Sequence, residues 1–148
     1  MSDLMRPKDT RLKRWTSLPA ALALFAITLA CGGIGLAYEH DLAKDYAVWA
    51  PDLTEQAAVV QKDPEGSGAS VVVGAMVFAY GWDDAFIIAK QHPNLDGFDE
   101  IDAETTHWFI VDVATDKVYG PLMEAEYAKQ REALGVPDDL DFTHVVEP

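Results

Sequence analysis

Ser70-Val71-Val72-Val73-Gly74-Ala75-Met76-Val77-Phe78-Ala79-Tyr80-Gly81-Trp82 is followed by Asp83-Asp84 and then by Ala85-Phe86-Ile87-Ile88-Ala89. The first run is rich in β-branched and aromatic residues, and its apolar side chains fall on both faces. That pattern predicts a central strand over residues 70–82, covered on both sides. Asp83-Asp84 supplies a tight turn, and residues 85–89 return antiparallel until Pro93 ends the pairing.

Shorter strands flank this hairpin. Tyr46-Ala47-Val48-Trp49 reads as one, stopped by Pro51-Asp52. Glu55 to Gln61 is a weaker one, because Ala57 and Ala58 suit a helix equally well. Asp63-Pro64-Glu65-Gly66-Ser67-Gly68 is a turn cluster, and the acidic stretch from Asn94 to Glu104 is a loop. His107 to Val113 predicts another strand, and Thr115-Asp116 turns into Lys117-Val118-Tyr119. A helix should follow, with Gly120 at its cap, Pro121 at its first position and Glu124 and Glu126 near the positive end of its dipole. Met123, Tyr127 and Leu134 share one face of it, and Gly135 and Pro137 stop it. The expected fold class is α+β: a small antiparallel β-meander of five to six strands with one C-terminal helix, behind an N-terminal transmembrane or signal helix.

Charge divides the chain of 148 residues unevenly. Residues 1–30 carry five basic and two acidic side chains, whereas residues 31–148 carry six basic and 23 acidic ones. Between Arg14 and Glu39 lie 24 residues, Trp15 to Tyr38, without a charge, enough to span a bilayer as a helix. Trp15 and Tyr38 bracket the run as interfacial aromatics do, and the positive-inside rule leaves residues 1–14 in the cytoplasm. Two readings of the run compete. One is a retained signal anchor over residues 15–38. The other is a cleaved signal ending before Cys31, where Ile27-Thr28-Leu29-Ala30-Cys31-Gly32 resembles a lipobox and Cys31 would carry lipid. Either leaves residues 39–45 as a spacer and residues 46–148 as an acidic extracytoplasmic, periplasmic domain, held to a bacterial membrane by a single anchor. The acidic field repels nucleic acid. Cys31 is the one cysteine, so no intrachain disulfide supports the domain.

Val77-Phe78-Ala79-Tyr80-Gly81-Trp82-Asp83-Asp84-Ala85-Phe86-Ile87-Ile88-Ala89-Lys90-Gln91-His92-Pro93 resembles a family of small uncharacterised bacterial envelope proteins. So do Trp108-Phe109-Ile110-Val111-Asp112 and Val118-Tyr119-Gly120-Pro121-Leu122. The resemblance covers roughly residues 46–136, a domain of unknown function often found behind a lipoprotein signal. It implies an envelope location and lends no catalytic residues.

Little in the outer domain suits catalysis, which needs a nucleophile, an acid/base pair or a metal within mutual reach. Ser67 and Ser70 lie in or beside a turn without a Gly-x-Ser-x-Gly elbow, so a hydrolase is the third choice of function. His40, His92, His107 and His144 are scattered without metal-ligand spacing, although His92 and His107 flank one loop and could approach each other. The acidic loop 96–104 lacks the residue order of a helix–loop–helix calcium site. No cofactor is expected. A surface is the better candidate. Strand alternation puts Phe86, Ile88, Lys90 and His92 on one face, with Tyr80 and Trp82 approaching from the partner strand. The expected binding residues are therefore Tyr80, Trp82, Lys90, His92 and His107. They would serve a protein partner, another envelope protein, in a non-enzymatic role; the alternative is a small-ligand or metal-binding module built on the Lys90–His92–His107 region.

Overall fold

Gly74-Ala75-Met76 is where the long apolar run turns a corner. Met76 adopts a left-handed φ of 74°, a conformation that side-chain-bearing residues seldom take. The run is therefore two strands rather than the single central one expected over residues 70–82. Its halves belong to different sheets.

A computed structural model describes residues 36–66, 68–95 and 100–146. The proposed anchor and Cys31 lie outside the described residues, apart from the last three positions of the anchor. Among the described residues, no helix is long and apolar enough to cross a membrane.

The strands are β1 (Tyr38–Asp41), β2 (Tyr46–Ala50), β3 (Ala58–Lys62), β4 (Ala69–Val73), β5 (Val77–Trp82), β6 (Phe86–Gln91), β7 (His107–Asp112), β8 (Lys117–Leu122) and β9 (His144–Val145). A 3-10 turn at Thr54–Gln56 precedes β3, and one helix, α1 (Glu124–Leu134), follows β8. All pairings are antiparallel. They build a four-stranded sheet ordered β1-β2-β3-β4 and a five-stranded sheet ordered β8-β7-β6-β5-β9. The fold is α+β, as expected, but a two-sheet arrangement replaces the meander of five to six strands.

Alternation explains how the sheets pack. Tyr46, Val48 and Val59 of the first sheet meet Ile87, Ala89 and Val111 of the second in one shared core. The opposite face of the second sheet presents Ile88 and Ile110 to a smaller cluster with Tyr127 of α1, Val136 and Leu140. The second sheet is thus covered on both sides, which is why its central strands read as nearly continuous apolar runs.

Three local expectations change. Residues 39–45 are not a spacer: Tyr38–Asp41 pairs with β2, so Tyr38 sits in a strand rather than at the end of a membrane helix. The segment 55–61 divides between the 3-10 turn and β3. Gly120 and Pro121 complete β8 instead of starting α1. A Cβ at Gly120 would collide with Phe109, so the glycine there answers a close approach. The helix begins three residues later than expected, where the Met123 backbone N–H donates to the Glu126 carboxylate at 3.0 Å. Gly135, with φ 70°, ends it as expected. The β5–β6 turn also stands, held by the Asp83 carboxylate accepting from the Ala85 and Phe86 backbone N–H groups.

Candidate functional site

The β5–β6 register decides where the expected binding residues go. Tyr80 pairs with Ala89 and Trp82 with Ile87, so both aromatics face the shared core between the sheets. Lys90 belongs to the other face, with Ile88. Its Nζ lies 4.2 Å from the Trp108 ring centroid and 4.3 Å from that of Phe142, a cation held over two aromatic faces. His92 follows the end of β6. Its ring stacks on Phe78 at 4.1 Å, and its Nδ1 donates to the Thr105 carbonyl oxygen at 2.9 Å. His107 pairs with Gln91 across β6 and β7. The five residues do not form one patch, because the thickness of a sheet separates Tyr80 and Trp82 from Lys90. Among the described residues, no group of three or more histidine, cysteine, aspartate or glutamate side chains is close enough to hold a metal. In the 96–104 loop, the Asp102 carboxylate accepts from the Glu104 and Thr105 backbone N–H groups. A side-chain hydrogen bond from Thr105, followed by these backbone bonds, holds its pKa below the usual carboxylate value.

A different constellation forms around Tyr80. Tyr38 and His40, two apart on β1, share a face and meet the Tyr80 hydroxyl from across the core. The Tyr38 and Tyr80 hydroxyls are 2.6 Å apart, and His40 Nδ1 also bonds the Tyr80 hydroxyl. His144 on β9 stacks on Tyr80 at 5.2 Å and lies 4.9 Å from His40, and Trp82 closes the group 4.7 Å from His144. Burial, followed by the bond to Tyr38, pushes the Tyr80 phenol well above its ordinary pKa. The cluster ties β1 to β5 and β9. Its sequence signal was the alternation Tyr38-x-His40-x-Leu42, hidden by its place at the end of the uncharged run.

The outward face of the four-stranded sheet carries an apolar groove. Trp49 pairs with Ala58 and Val60 with Val71, and together they line a groove of about 300 Å³ with Leu36 and Ala69. Val71 is 67% exposed at the sheet edge. The Trp49 indole N–H is buried and meets no acceptor among the described residues. Glu39 and Asp41 of β1 flank the strip, and Asp41 pairs with Lys62 across it.

Residues 43–146 match the model of a family described as a protein of unknown function, DUF3997. The chain belongs to this family. No curated protein and no solved structure matches it. The DUF3997 match takes in β2 through β9 with α1, a longer span than the resemblance read over residues 46–136. It begins after β1, so Tyr38 and His40 precede the matched DUF3997 segment while Tyr80, Trp82 and His144 lie within it.

Proposed function

We propose that the chain is a membrane-tethered, non-enzymatic binding protein whose outer domain docks another envelope protein on the outward face of the β1–β4 sheet. One observation carries the reading: an apolar groove bounded by the half-buried Trp49 and by Val71, 67% exposed, opens on the outward face of a domain rich in acidic residues. Contiguous apolar surface of this kind marks interaction sites, and tryptophan is over-represented among the residues that dominate binding energy. Glu39 and Asp41 at its margin favour a partner with an apolar centre and a basic edge. The tether is supported by the sequence: 24 uncharged residues behind a basic N-terminal segment. Cys31 is the lipidation point if the segment is cleaved instead.

The test is photocrosslinking in the native membrane, with the reactive group placed at Val71 of the full-length protein. A reproducible envelope protein that is captured at Val71, and lost on Trp49→Ala, supports the reading. Capture of only a second copy of this chain, or equal capture from a control position on α1, overturns it.

A further inference from the structure

A second cavity lies beside the start of β5, where the 3-10 turn, the residue after β6 and the loop before β7 meet. It encloses about 270 Å³ and is walled by Met76, Val77, Phe78, Ile101, Ala103 and Val146. Two polar side chains reach it, His92 and Glu55. The positive-φ residue Met76 stands in its wall, as does Phe78, the extra residue where the β5–β6 register shifts. A strained non-glycine residue and a bulge at the same cavity are devices that re-aim side chains around binding sites.

We propose that this cavity binds a small hydrocarbon carrying one ammonium group. Size sets the first limit. Taking about 30 Å³ as the liquid volume of a water, the space equals about nine waters, so it suits a ligand of roughly nine non-hydrogen atoms. The apolar walls require most of that ligand to be hydrocarbon. The polar end is set by which atoms remain free. A carbonyl oxygen only accepts, so the bond to Thr105 places the His92 proton on Nδ1. In the neutral ring, Nε2 is then an acceptor, held in orientation by the stack on Phe78. Glu55 is the second acceptor. Both groups accept, so the ligand must donate. Glu100, Asp102 and Glu104, interleaved with Ile101 and Ala103, add negative charge beside the mouth. A carboxylate ligand would meet repulsion, an alcohol would find its hydrogen bonds, and an ammonium would gain both the hydrogen bonds and the field.

The chain holds four methionines, Met1, Met5, Met76 and Met123, and among the described residues only Met76 lines the cavity. The experiment labels their methyl groups in the purified full-length protein and titrates it with 2-phenylethylamine, 2-phenylethanol and phenylacetate. For a ligand of this size a Kd of about 1 mM is expected. The amine should move the Met76 methyl resonance and leave the other three in place. The alcohol should do so more weakly, and phenylacetate should have no effect. Glu55→Gln should weaken the amine by about tenfold and bring it level with the alcohol, since an ionised acceptor is worth roughly that factor over a neutral one. Ala103→Phe, which fills the cavity from its exposed rim, should abolish the shift while the other methyl resonances keep their native positions. Phenylacetate binding as well as the amine, an amine shift unchanged in both variants, or no Met76 shift at concentrations up to about 10 mM would each overturn the proposal. None of these outcomes depends on the β1–β4 docking face.

Discussion

The Tyr46 hydroxyl donates to the Asp116 carboxylate at 2.9 Å, joining β2 of one sheet to the β7–β8 turn of the other. Lys44 from the β1–β2 turn donates to the same carboxylate at 2.9 Å, and Gln61 of β3 donates at 3.2 Å. Asp116 thereby gathers three donors from the first sheet. The Tyr46 ring is fully buried, so its hydroxyl has no easy alternative partner. Tyr46→Phe should lower stability by about 1 kcal/mol in denaturant unfolding. Asp116→Ala should destabilise more than Lys44→Ala, because it strands a core hydroxyl whereas the lysine loses only an exposed ion pair. A double-mutant cycle of Tyr46→Phe with Asp116→Ala checks the coupling; additive effects would deny it.

Stability should fall at both ends of the pH scale, for different groups. The Lys44 hydrogen bond, then that from Tyr46, holds the Asp116 carboxyl below its usual pKa. A depressed carboxyl contributes stability above its unfolded pKa, and that contribution is lost as the pH falls below about 4 toward the folded value. Burial, then Asp116, pushes the Tyr46 phenol up to about 12, and burial raises Tyr80 as well. Their unfolded forms release protons from about pH 10, so stability should decline as the pH rises from about 10 through the folded values. Denaturant midpoints measured across the alkaline range, with tyrosinate absorbance followed in parallel, check this. Tyr46→Phe should flatten the decline, and Tyr80→Phe should flatten it further.

Trp49→Phe should separate stability from docking. It discards an indole N–H that is buried without an acceptor among the described residues, which offsets the lost ring volume, so the change in stability should stay within about 1 kcal/mol. Photocrosslinked partner at Val71 should nonetheless fall. Equal capture with a stable Trp49→Phe domain would remove Trp49 from the interface.

Lys90→Ala should act in the opposite way. The lysine stem and ammonium lie over Trp108 and Phe142, on the face that carries α1. Losing them should cost about 1 kcal/mol and leave partner capture at Val71 unchanged. Lys90→Met, which keeps the stem, should recover part of the loss in thermal melts.

The antiparallel hairpin at Asp83-Asp84, the β7–β8 pair and the stop at Gly135 were legible because each rests on local chemistry: alternation, an Asp turn and a left-handed cap. The break at Met76 was not, because nothing in Val71–Trp82 forbids a continuous strand; only the second sheet's demand for Val77 forces the corner. The same gap misplaced the candidate surface. Sequence alternation puts Phe86, Ile88 and Lys90 together, but whether Tyr80 and Trp82 join them depends on the register across β5 and β6, and one residue of register exchanges the faces. The Tyr38–His40–Tyr80–His144 cluster was beyond reach for a further reason: it assembles from positions 38 to 144, and no spacing rule spans that distance.

Gly81 should tolerate no side chain. A Cβ there would overlap the Asp141 carbonyl oxygen, where the segment leading into β9 crosses β5. Gly81→Ala should therefore cost about 2 kcal/mol or more. If β9 stays docked, as read from hydrogen-exchange protection of the Val146 amide that bonds Phe78, the close approach is not rigid.

The pairing of β9 with β5 also sets an order of events. Tyr80 is gripped from one side by Tyr38 and His40, among the earliest described residues to be made, and from the other by His144, among the last. A chain emerging from the ribosome can form the β5–β6 hairpin early, since those contacts are near in sequence. It cannot seal the end of the sandwich until residue 144 is free to pair. Until then the margin of β5 stays open as an unpaired strand edge, the kind of surface that chaperones hold and that neighbouring nascent chains join. The domain is closed by one of its last-made strands, and its exposure to misassembly lasts until that strand arrives.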